Sequence, residues 1–117
     1  MPSRLTNRFE GYPRLQPETS QADATVVNLA RSRGIDGCVF HVLDHVPEQC
    51  EDLYVLLCDD NLVVSFEVPR GKMPLQAEQI VEAPIAEYRD KIGQGKYRIR
   101  LDETLKNARV LLGVHER

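Results

Sequence analysis

The sequence lacks a long apolar segment. A membrane-spanning helix needs about 20 apolar residues. The apolar runs of this chain, such as YVLL at 54–57, are much shorter. The opening stretch MPSRLTNRFEGYPRL also lacks the apolar core of a secretory signal. We therefore expect a cytoplasmic protein without a membrane partner.

The chain has few cysteines and no excess of positive charge. Cys38, Cys50 and Cys58 form an odd set, and without an export signal we expect reduced thiols rather than a disulfide framework. The formal net charge of −3 at pH 7 gives no overall attraction to nucleic acid. A local basic face remains compatible with this charge.

The composition is that of one globular domain preceded by an arm. At 117 residues, 42% hydrophobic and 28% charged, the chain fits a single domain with a core. Prolines at positions 2, 13 and 17 and the lack of sustained periodicity predict an extended N-terminal arm over residues 1–18. Residues 19–117 are expected to form a single α+β domain.

The predicted arm carries apolar side chains at Leu5, Phe9, Tyr12 and Leu15. Two interpretations are open. Either the arm is disordered, or it lies in a groove of its own domain or of a partner, because isolated aromatic side chains favour contact with other apolar groups.

Hydrophobic periodicity and turn residues predict the elements of the domain. The predicted helices cover 21–33, a short helix or turn near 75–82, 84–92 and a segment that begins at Asp102 or Thr104, and the predicted strands cover 38–46, 53–58, 62–68 and 96–101. The glycines at 34, 93 and 113 are expected to follow helix ends. The order α-β-β-β-α-β-α indicates an α+β fold, a two-layer sandwich in which an antiparallel sheet of about four strands carries helices on one face.

The stretch GCVFHVLDHVPEQC combines two cysteines and two histidines, which are ligands that zinc prefers. Strand alternation, however, places Cys38 on one face and both His41 and His45 on the other. The two histidines would also lie about 13 Å apart along an extended strand. We therefore predict no metal site and expect His41 and His45 to share a pH-sensitive or partner-facing surface.

The stretch RDKIGQGKYRIR at 89–100 has the strongest local excess of positive charge. Its GQGK does not match the G-x4-G-K-[ST] pattern of a phosphate-binding loop. Lys96, Arg98 and Arg100 would line one face of the predicted fourth strand, near Arg89, and could bind an acidic protein or a nucleic-acid backbone. The alternative is a solvated face that pairs with carboxylates such as Glu67.

These patterns favour a small cytosolic interaction or regulatory domain without catalytic activity. It would bind a protein partner, or a second copy of itself, through its sheet surface or edge and its N-terminal arm. A ligand- or nucleic-acid-binding module that uses the basic 89–100 region is a less favoured alternative, and a small Cys/His enzyme is a third. No cofactor is expected, and the candidate binding residues are His41, His45, Arg89, Lys96, Arg98 and Arg100.

Overall fold

The computed structural model describes residues 22–113 of the chain. The predicted arm at residues 1–18 lies outside the described residues. The helices are α1 (Ala24–Arg31), α2 (Ile85–Ile92) and α3 (Lys96–Leu112), and the strands are β1 (Phe40–Pro47), β2 (Glu51–Cys58), β3 (Leu62–Pro69) and β4 (Glu78–Pro84).

The four strands form one antiparallel sheet in the order β1-β2-β3-β4, so that each strand pairs with its neighbour in sequence. A carboxylate joins the β2–β3 turn to the start of β1: Asp59 Oδ1 accepts the backbone N–H groups of Cys38 at 2.8 Å and of Val39 at 2.9 Å. The predicted α+β class and four-stranded antiparallel sheet are confirmed.

The ends of α1 follow from its flanking residues. Asp23 Oδ1 accepts the Val26 N–H at 3.1 Å, which satisfies a free donor in the first turn. After the helix, Gly34 adopts a left-handed φ of 89°, and the Ile35 N–H donates to the Ala30 carbonyl at 3.2 Å. Ile35 is buried in the same apolar cluster as α1, as expected of a helix end of this kind.

The central strands bury side chains on both faces of the sheet. On what we call the α1 face, Leu56 and Phe66 pack with the apolar side of α1. On the opposite face, which we call the α3 face, Leu57 and Val63 pack with α2 and α3. The sheet therefore lies between two helical layers, whereas the sequence predicted helices on one face only.

The element order is α-β-β-β-β-α-α, and the first difference from the predicted order is β4. The spacing of Leu75 and Val81 suggested a helix or turn near 75–82, but both side chains are exposed and add little to the core. Backbone pairing decides the outcome, because β4 supplies hydrogen-bond partners along the outer edge of β3. Because pairing with β3 at the edge of the sheet determines this element, the helical spacing of Leu75 and Val81 does not predict it.

The second difference is α3, whose first residues were predicted as a strand at 96–101. Tyr97 and Ile99 alternate with cations as they would in a strand, yet both are exposed in α3. The buried positions Leu101, Leu105 and Ala108 instead repeat at helical spacing against the sheet. Packing of this stripe extends the last helix back to the glycine before Lys96.

Gly37 lies against Cys58 without room for a side chain. An ideal Cβ at this position would lie 2.5 Å from Cys58 Sγ and 3.3 Å from Asp59 Oδ2. We predict that Gly37→Ala lowers the free energy of unfolding by about 1–3 kcal/mol, because the buried thiol or the backbone must move. Urea denaturation followed by circular dichroism measures this loss.

The matched experiment repeats the substitution in a Cys58→Ala background, where the sulfur is absent. There Gly37→Ala should cost less than in the native chain. Equal costs in the two backgrounds would contradict the steric explanation.

Candidate binding surface

A bulge in β1 places its two histidines on opposite faces of the sheet. The pairing with β2 skips Leu43. His41 precedes the bulge and lies opposite Leu57 on the α3 face, whereas His45 follows it and lies opposite Tyr54 on the α1 face. The predicted shared face of His41 and His45 is therefore wrong, because one extra residue reverses the strand alternation beyond it.

His41 belongs to the interior of the protein. Its side chain is only 1% exposed, and its Nδ1 has no hydrogen-bond partner among the described residues. Burial disfavours the charged imidazolium and lowers the pKa of His41. A partner that docks on the surface does not reach this ring in the described structure.

His45 is exposed and belongs to a polar cluster near the end of β1. Its ring stacks on Tyr54, with the ring centroids 4.4 Å apart, and its Nε2 lies 3.1 Å from Asp52 Oδ1. Arg70 donates to the same carboxylate oxygen at 2.9 Å. His45 therefore keeps the accessibility that its predicted binding role requires.

The cysteines of the GCVFHVLDHVPEQC stretch lie before and after β1. Cys38 and Cys50 are exposed, Cys58 is buried, and all three are free thiols. Burial, together with the charge of Asp59, raises the pKa of Cys58 to about 11, so its thiol stays protonated near neutral pH. Within residues 22–113, no group of three or more His, Cys, Asp or Glu side chains is placed to hold a metal ion.

The predicted basic strand face does not form, because its residues lie on helices. Arg89 of α2 and Arg98 of α3 both approach Asp102, with N–O distances of 3.5 Å and 3.6 Å. An α-helix turns by about 100° per residue, so Arg98 lies on a different side of α3 from Lys96 and Arg100, which are one turn apart. The structure thus brings Arg89 and Arg98 together at Asp102, whereas Arg100 and Lys96 have other contacts.

Arg100 contacts the sheet instead of solvent alone. Its Nη1 donates to the backbone carbonyl of Leu43, the bulged residue, at 3.2 Å. Lys96, at the start of α3, is exposed and places its ammonium 5.3 Å from the ring centroid of Tyr97. Arg100 therefore fixes α3 to β1, while Lys96 lies at the surface.

A groove that the sequence analysis missed opens on the α3 face beside α2. It encloses a volume of about 200 Å³. Tyr88, Glu87 and Lys91 of α2 form its wall. Its floor comes from three strands and consists of Leu53, Val55, Val63, Ser65, Val81 and Ala83.

The groove exists because the helices do not cover the whole α3 face. Leu57 is fully buried beneath α3, but Val81 in β4 is 55% exposed and Val46 in β1 is 37% exposed. Apolar residues at 53 and 55 in β2 were a sequence signal for this surface. The groove could not be predicted from this signal, because a short helix or turn near 75–82 was expected where β4 completes the floor.

Beyond the groove, the α3 face of the sheet carries glutamate side chains. Glu51 lies two residues before Leu53 in β2, and Glu67 lies opposite Leu53 in β3. Glu67 was expected to pair with a basic strand, but its partner on the other side is Glu78 of β4. Lys72 approaches Glu78 at 3.2 Å, so that carboxylate has a cation of its own.

Like charges repel one another at this acidic end. The charge of Glu67 raises the pKa of Glu51, and burial and the neighbouring Glu48 add to the effect. Arg70 acts in the opposite direction, but its guanidinium already binds Asp52 and two backbone carbonyls. A cation brought to this end of the groove would be stabilised.

The buried His41 predicts a pH dependence of stability. Because its pKa is lower in the folded protein than the ordinary value of 6.5, the unfolded chain binds more protons in acid. The free energy of unfolding should therefore fall as the pH decreases below about 6.5. Denaturation at several pH values between 7 and 5 measures the slope.

One variant isolates the contribution of this imidazole. His41→Leu should flatten the slope between pH 7 and 5, because it removes the imidazole that becomes protonated on unfolding. A His41→Leu profile parallel to that of the native chain would contradict the assignment.

The contact between Arg100 and the bulge predicts a stabilising role for this cation. Arg100→Met keeps much of the aliphatic chain but removes the donor, and we expect a loss of about 1–2 kcal/mol in unfolding free energy. Lys106→Met, at an exposed position of α3, should change stability by less than about 0.5 kcal/mol. Equal effects of the two substitutions in urea denaturation would exclude a special role for Arg100.

Comparisons with known proteins add no family to this geometry. No protein-family model, no curated protein and no solved structure matches the chain. Among the described helices, none is long and apolar enough to cross a membrane.

Proposed function

We propose that the protein is a small cytosolic interaction domain without catalytic activity, and that it binds an extended apolar segment of a protein partner in the α3-face groove. The observation that carries the proposal is the apolar floor supplied by β2, β3 and β4, which α2 and α3 leave open. Exposed apolar patches of this kind are typical of interaction sites.

The size of the groove favours side chains of a peptide over a small molecule. Pockets for drug-sized ligands usually enclose about 300–1,000 Å³, whereas this groove encloses about 200 Å³. That volume suits a few apolar side chains that enter from a larger partner. An extended segment presents alternate side chains to one surface, which matches a floor made of strands.

The position of β4 supports the same mode of binding. It is the last strand of the sheet, so one of its edges has no strand partner among the described residues. A peptide beside this edge could form backbone hydrogen bonds while its side chains enter the groove next to Val81.

The polar groups of the lining support binding more than catalysis. Ser65, Glu87, Tyr88 and Lys91 contribute them, without an imidazole or a thiol. Burial, and then the charge of Asp44, raises the pKa of Tyr88, which disfavours its phenolate form. An activated nucleophile or base would need the opposite kind of perturbation or an adjacent proton acceptor.

A displayed library of random dodecapeptides, panned against the full-length protein, tests the proposal. We expect selected sequences to combine apolar residues with lysine or arginine. Val81→Asp places a carboxylate in the groove and should weaken binding of the selected peptides at least about tenfold, which corresponds to 1.4 kcal/mol.

Val110→Asp is the matched control, because Val110 is an exposed valine of α3 outside the groove, and it should leave binding unchanged. Cooperative unfolding of both variants confirms that they fold. Failure to select peptides, or equal binding to the native and Val81→Asp proteins, would contradict the proposal. Light scattering tests the alternative that the groove binds a second copy of the chain. A dimer that Val81→Asp disrupts would show that the groove serves self-association instead.

A further inference from the structure

Resting on the proposed function, we propose that the groove has an internal occupant: the N-terminal residues 1–21 of the same chain, with apolar side chains in the groove and arginines at its acidic end. In this state the segment competes with a partner for the groove. The domain would then regulate its own binding surface.

The composition of the segment fits both parts of the surface. Its apolar side chains include Leu5, Phe9, Tyr12 and Leu15, and its charged side chains are Arg4, Arg8, Arg14, Glu10 and Glu18. Cations therefore exceed anions in this segment, although the whole chain has a net charge of −3. An apolar and cationic segment is complementary to an apolar groove that ends in carboxylates.

Glu51 and Glu67 provide the charge complementarity. These carboxylates repel one another, and no ion pair involves either of them within the described part of the chain. An arginine can donate two parallel hydrogen bonds to a carboxylate, so one guanidinium would relieve the repulsion and add directional contacts. The apolar floor begins at Leu53, next to both carboxylates on the same face.

The start of the described chain is compatible with this route. The Ala22 N–H donates to the Phe40 carbonyl at 2.8 Å, so the segment leaves the domain beside β1, which is an edge strand. An extended chain covers about 3.3–3.6 Å per residue, so the chain between Phe9 and Ala22 reaches about 45 Å. This reach is comparable to the 46 Å longest extent of the described residues, and it allows the segment to pass round β1 to the α3 face.

A single-tryptophan reporter in the full-length chain tests the proposal, because the native sequence contains no tryptophan. In Phe9→Trp protein, we expect emission at a shorter wavelength than in the same chain denatured by urea. Adding Val81→Asp, or Glu51→Gln together with Glu67→Gln, should shift the emission toward that of the denatured chain. Adding Val110→Asp should leave it unchanged.

Charge reversal provides a second test with the same tryptophan emission. Arg8→Glu should also expose the tryptophan, and Glu67→Arg added to Arg8→Glu should restore the shorter wavelength at least partly. An emission wavelength equal to that of the denatured chain would overturn the proposal. An emission wavelength that the Val81 and glutamate substitutions leave unchanged would also overturn it. A wavelength that depends on protein concentration would also overturn it, because the groove would then hold the segment of a second copy.

The outcome separates this inference from the proposed function. If tryptophan is exposed while selected peptides still bind in a Val81-dependent manner, the internal occupant is excluded and the interaction domain stands. If tryptophan is buried in the groove and no peptide binds with or without Arg8→Glu, the internal occupant stands and binding of a partner is excluded.

Discussion

Leu56 and Leu57 are consecutive residues of β2, and both are fully buried. Because neighbours in a strand point to opposite faces, this pair requires apolar cover on both sides of the sheet. Burial of each leucine contributes about 1.5–3 kcal/mol, so neither face can be left to solvent at this point. α1 supplies one layer and α2 with α3 supplies the other. Where the second layer ends, the apolar floor of the sheet continues uncovered, and that mismatch creates the groove.

The bulge at Leu43 determines what β1 adds to each face. In a regular strand, His45 would lie on the same face as His41 and bring an imidazole toward the groove. Leu43, at the bulge, is buried in the core of the α3 face, and its carbonyl accepts a hydrogen bond from Arg100. His45 instead stacks on Tyr54 on the other face. On the α3 face, the bulge places Asp44 opposite Val55 and Val46 opposite Leu53, so β1 adds a carboxylate and a valine beside the groove instead of an imidazole.

Sequence patterns predicted the parts of the fold that depend on local periodicity. β3 alternates as expected, and the glycine after α1 ends the helix by left-handed geometry. Residues 96–101 fit a strand and a helix equally well at short range, and only packing of Leu105 and Ala108 on the sheet selects the helix. Bulge formation at Leu43 has no residue signature. The groove was out of reach for a related reason, because it depends on where helices end relative to the sheet.

Apolar cover alone does not choose between candidate occupants of the groove. Many extended segments can place a leucine or an aromatic ring on such a floor, and the free energy gained depends mainly on the area buried. The carboxylates of Glu51 and Glu67 change this, because a segment with an acidic residue at that point adds to an existing repulsion. A segment with arginine at the same point removes the repulsion. In the proposed complex, discrimination therefore comes from the acidic end, while affinity comes from the floor.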